Sequence, residues 1–65
     1  MVYELAERSG DGISVRLCWD EERNQVTLRY RDWRNGDAFV TDVPNDDALA
    51  AFRHPNAFRP LRRAA

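Results

Sequence analysis

Residues 13–32 read ISVRLCWDEERNQVTLRYRD, and the fold depends on how this stretch is divided. Ile13, Val15, Leu17 and Trp19 alternate with Ser14, Arg16, Cys18 and Asp20. Beyond Glu21-Glu22-Arg23-Asn24, Val26, Leu28 and Tyr30 alternate with Gln25, Thr27, Arg29 and Arg31. Apolar residues at every second position mark a strand buried on one face only. The polar residues between the two runs suit a four-residue hairpin loop. Pairing Asp20 with Gln25 then sets Trp19 opposite Val26, Leu17 opposite Leu28 and Val15 opposite Tyr30. A slip of one residue would turn the apolar set toward water, so this register is strongly specified.

Working outward, Asn35-Gly36 is the dipeptide best suited to a two-residue type I′ turn. It predicts Arg34 opposite Asp37, Asp32 opposite Phe39, Tyr30 opposite Thr41 and Leu28 opposite Val43. On the outer face this makes a row of Arg16, Arg29 and Asp42, with Arg31 beside Val40 and Trp33 beside Ala38. Upstream, Gly10-Asp11-Gly12 reads as a three-residue loop that brings Tyr3 to Trp19 and Leu5 to Leu17. Residues 2–8 are read as a strand, although Glu, Leu and Ala also favour helix.

After the strands, Pro44-Asn45-Asp46-Asp47 resembles a helix start, with an Asn or Asp as cap and acids at the positive end of the dipole. Leu49 and Phe52 are expected to face inward, and Pro55 to end the helix at His54. So short a helix needs a surface to lie on. The predicted fold class is α+β: a four-stranded antiparallel β-meander with one C-terminal helix packed on one face. Phe58 is expected to seal the core's edge. Residues 1–58 form the domain and residues 59–65 a basic tail.

Sixty-five residues can bury only a marginal core. The single cysteine, Cys18, excludes an internal disulfide, and one His with one Cys cannot complete a zinc site without carboxylates. No metal or cofactor is expected, which leaves self-association or a partner as the supplement. No apolar run is long enough to span a bilayer and nothing reads as a signal peptide, so a cytoplasmic protein is expected. The net charge of -1 conceals an imbalance: residues 1–47 hold six arginines against eleven acids, and residues 48–65 hold four arginines and no acid. Every basic residue is arginine, which a GC-rich coding genome explains as readily as selection for its planar fork.

His54 lacks the nucleophile and orienting carboxylate that a catalytic base requires, and reads as a helix ending. No catalytic residue is assigned. Cys18 falls on the outer face between Arg16 and Asp20, a weak setting for a reactive thiolate. The outer face offers more. Trp33, Val40, Arg16, Arg29 and Arg31 make an arginine stripe beside a small apolar patch, and Trp and Arg are the usual anchors of interfaces. Edge strands are further points of contact, and a homodimer is one arrangement that would use them. Nucleic acid is the alternative partner, through the same arginines together with Arg59, Arg62 and Arg63. Against it, the pI is about 5.7, and Tyr30 of RYRDWR points inward, leaving only Trp33 to stack on a base.

Trp19-Asp20, the turn at Arg34-Asn35-Gly36 and ALAAFRHPNAF at residues 48–58 together resemble a group of small uncharacterised proteins of high-GC actinobacteria. Their pattern is a strand ending in Trp-Asp, a second strand, a glycine turn, and an ending Ala-Leu…Phe…His-Pro…Ala-aromatic. Asn56 and Phe58 stand where that ending carries tyrosine. The resemblance covers roughly residues 13–58 and implies an architecture without a mechanism. The function expected is a non-enzymatic protein-interaction or regulatory accessory domain.

Overall fold

The structure, a computed structural model, describes residues 1–60. Four strands, β1 (Val2–Gly10), β2 (Ile13–Asp20), β3 (Gln25–Asp32) and β4 (Asp37–Val43), form one antiparallel sheet in the order β1-β2-β3-β4. A 3₁₀ turn at Asn45–Asp47 leads into helix α1 (Ala48–Arg53), and a second 3₁₀ turn spans Pro55–Phe58. The fold is the α+β meander the alternation predicts.

The register of β2 on β3 is the predicted one, with Trp19 on Val26, Leu17 on Leu28 and Val15 on Tyr30. The register of β3 on β4 is displaced by two residues: Val26 lies opposite Val43, Leu28 opposite Thr41, Tyr30 opposite Phe39 and Asp32 opposite Asp37. The loop therefore contains Trp33, Arg34, Asn35 and Gly36 rather than Asn35-Gly36 alone. Its cause is Asp32, whose Oδ1 accepts from the Arg34 backbone N–H at 2.9 Å and whose two carboxylate oxygens hold the Arg34 guanidinium. Only Gly36 takes a positive φ, 75°, so the two-residue I′ geometry is absent here. A displacement of two preserves each strand's faces, and Phe39 and Val43 remain on the core side.

The β2–β3 loop is built the same way. Asp20 Oδ1 accepts from the Glu22 N–H, Asp20 Oδ2 accepts from Arg23 Nε at 3.0 Å, and the last loop residue, Asn24, has φ 49°. The pattern Asp, then Arg-Asn within the next four residues, recurs in DEERN and DWRNG and marks both loops.

The true I′ turn lies upstream. Asp11 and Gly12 have φ 53° and 81°, and Gly10 pairs with Ile13, so this loop has two residues instead of three. Tyr3 faces Trp19 as expected, with their rings stacked at 5.9 Å. Leu5 does not face Leu17. A β-bulge between Glu4 and Ala6 places Ala6 opposite Leu17 and Arg8 opposite Val15, and leaves Leu5 exposed. Arg8 thereby reaches across the covered face, donating to the Phe52 carbonyl at 2.9 Å with its guanidinium over the Phe52 ring.

Val15, Leu17, Val26, Leu28, Tyr30, Val43 and Ala51 form the core, with Ile13, Trp19, Phe39, Ala48, Phe52 and Phe58 packed around it. Leu49 is not among them: it is 60% exposed. The inward residues are Ala48, Ala51 and Phe52, the i, i+3, i+4 stripe of one helical face. Two alanines on that stripe let the helix backbone approach the sheet closely. Asn45 does not cap the helix through its side chain. Its Oδ1 accepts from the Val26 N–H, and its Nδ2 donates to the Asn24 carbonyl and Oδ1, tying the helix entry to the β2–β3 loop. The helix ends at His54, whose N–H donates to the Ala50 carbonyl.

Candidate docking face of the sheet

One face of the sheet is covered by α1 and the C-terminal turns, while the other carries the even-numbered residues of β2 and β4 and the odd-numbered ones of β3. Arg16, Arg29 and Val40 lie in one row across β2, β3 and β4. The neighbouring row is Ser14, Arg31 and Ala38. The displaced register thus replaces the expected Arg16-Arg29-Asp42 row, and Asp42 sits beside Thr27 instead. All five residues expected at a docking surface, Trp33, Val40, Arg16, Arg29 and Arg31, line a single shallow concavity of about 450 Å³ with Ser14 and Ala38.

Trp33 stands in the β3–β4 loop, not on a strand, and is 68% exposed. The Arg31 guanidinium lies 4.8 Å from the centre of its ring, which holds both side chains in place without neutralising the charge. Val40 is 57% exposed at the edge of the same hollow.

The charges on this face are sorted by position. Arg16 pairs with Glu4 at 2.9 Å, while Asp20 and Asp42 both engage Arg23 near the β2–β3 loop. The side-chain hydrogen bond from Arg23 also holds the Asp20 carboxyl below its ordinary range. Among the described residues, Arg29 and Arg31 make no ion pair. The hollow near Trp33 is therefore electropositive, although the chain as a whole is slightly acidic.

Arg59 is placed elsewhere. Its guanidinium grips the Asp37 carboxylate through two hydrogen bonds, of 3.0 and 2.6 Å, donates to Asn56 Oδ1 and covers the stacked Phe39 and Tyr30 rings. It is thus a clasp over the core's rim, its charge directed at an acidic residue of the chain itself. Arg62 and Arg63 lie outside the described residues.

The histidine, cysteine and serines carry chemistry of their own. The His54 ring is exposed beyond α1 on the covered side, whereas Cys18, Ser9 and Ser14 belong to the opposite face. Among the described residues, the His54 side chain makes no hydrogen bond with any of these nucleophiles. Among the described residues, no group of three His, Cys, Asp or Glu side chains is placed to hold a metal ion, and no helix is long and apolar enough to cross a membrane.

Comparison of the chain with protein-family models, with curated proteins and with solved structures gave no match. The class is therefore defined by fold and surface: a small α+β meander domain with one helix-covered face and one arginine-tryptophan face.

Proposed function

We propose that the chain is a small, non-enzymatic protein-interaction or regulatory accessory domain that docks an acidic segment of a partner protein in the hollow beside Trp33. The observation that carries this reading is the pair Arg29 and Arg31, without ion pairs among the described residues and adjoining an exposed tryptophan in one concavity. A large rigid aromatic supplies contact area, and unpaired arginines supply charge complementarity and directed hydrogen bonds. A lone half-exposed Cys18 agrees with a reducing, cytoplasmic setting. The likeness to small actinobacterial proteins belongs to the same proposal and rests on the sequence pattern alone.

The test is fluorescence anisotropy with dye-labelled poly-L-glutamate as the probe. The expected result is binding that weakens at least about tenfold in R29A/R31A and also falls in W33A. Equal binding by the wild type and R29A/R31A would refute the proposal. The competing reading is a nucleic-acid accessory protein, which the Arg31–Trp33 pair favours as a stacking platform. Binding of labelled oligo(dT) that survives about 200 mM salt, with none to polyglutamate, would establish that reading instead.

A further inference from the structure

The two edges of the sheet are built differently. β1 is interrupted by the bulge at Glu4/Ala6 and carries Glu4, Glu7 and Arg8 in its interior, devices that discourage pairing with another strand. β4, DAFVTDV, has no bulge, no proline and one interior charge, Asp42, and it presents Val40 outward. An unbulged edge with an exposed apolar centre is a template for a further strand.

We propose that this further strand is β4 of a second copy, paired antiparallel about a two-fold axis at Val40. The inference rests on reading the outer face as an interaction surface, and it names a partner for its edge. Val40 is the middle residue of the strand, so the axis pairs Val40 with itself, Phe39 with Thr41 and Ala38 with Asp42. Each pair joins residues of the same face, so the outer faces of the two sheets become continuous. Charge suits this register: the carboxylate contacts of Asp42 among the described residues, Arg23 at 3.8 Å and the Thr27 hydroxyl at 3.3 Å, both fall on Oδ1 and leave Oδ2 to meet a further arginine. Ala38 lies next to Arg31 within the chain, so the pairing sets the second copy's aspartate beside Ala38, in line with Arg31. Alanine is too short to screen the two charges from one another. The two Val40 side chains meet at the axis, while the Arg29 side chains stay three strand spacings apart, about 14 Å. The interface is isologous and closes at two copies. One edge pairing of seven residues is small, so the dimer should be in the micromolar class.

Sedimentation velocity over a series from about 1 to about 500 µM tests the proposal on the unmodified chain. The expected result is a monomer–dimer equilibrium. V40K, which sets two like charges together at the axis, should weaken it at least about tenfold, whereas V2K on the opposite edge strand should leave it unchanged. A monomer across the whole series, or a dimer indifferent to V40K, overturns the proposal. If V40K loses its β-sheet circular dichroism, D42R decides: the dimer should weaken, and R31D in the same chain should restore it. An unaltered D42R dimer also overturns the pairing. A monomer that still binds polyglutamate refutes this inference alone, while a dimer that does not bind it refutes only the docking function.

Discussion

Truncating Leu28 and Leu49 to alanine should separate two leucines that composition treats alike. Leu28 is fully buried at the centre of the sheet, opposite Leu17 on one side and Thr41 on the other. Its neighbours are held by strand ladders, so the space it vacates cannot collapse. Such a change costs about 3 kcal/mol, within a range of about 2–5. A domain of this size has roughly 3–10 kcal/mol in total. The melting temperature should therefore fall by about 12–24 °C, and the urea midpoint by about 3 M if the slope is near 1 kcal/mol/M. Leu49, on the outer side of α1, should change stability by less than about 0.5 kcal/mol, because alanine also favours helix. Urea titrations followed by tryptophan fluorescence and thermal melts followed by circular dichroism measure both. Equal losses from the two variants would show that α1 is rotated and Leu49 packs inward. A loss below about 1 kcal/mol for Leu28→Ala would refute the placement of the core centre.

Acid sensitivity should concentrate at Asp32, a buried carboxylate that the Arg34 side-chain hydrogen bonds hold below its ordinary value. Its folded value lies below its unfolded one, so the stabilisation is fully present above about pH 3.9 and is lost as pH falls through the lower folded value. Melting curves between neutral and strongly acid pH should show a shallower acid limb in Asp32→Asn than in the wild type, and identical limbs would remove Asp32 from the account. Gly12 has φ 81°, and a Cβ there would come 2.7 Å from Cγ of Arg34, whose head is pinned by Asp32. Gly12→Ala should cost at least about 1 kcal/mol in urea titration, against less than about 0.5 for Gly10→Ala, where nothing lies within 4 Å; equal costs would contradict the turn geometry.

What the chain alone determines is parity. Alternation in residues 13–32 assigns every side chain of β2 and β3 to a face, and the loop between them leaves one pairing that keeps those faces apart. For β4, parity survives while register does not, because registers two residues apart present the same faces and only the loop chooses between them. That choice is made by the Asp32 carboxylate, which captures Arg34 and lengthens the turn. The arginines and Trp33 of the outer face are legible from the same parity, but the identity of Arg29's neighbour on β4, Val40 rather than Asp42, follows the register. Three features are tertiary. The bulge in β1 turns Arg8 inward to the Phe52 carbonyl, the helix rests on alanines instead of Leu49, and Arg59 leaves the basic tail to clasp Asp37 over Phe39. Arg8 and Phe52 are 44 positions apart, Arg59 and Asp37 are 22, and α1 meets β2 and β3 across the intervening strand β4, separations at which local periodicity carries no information.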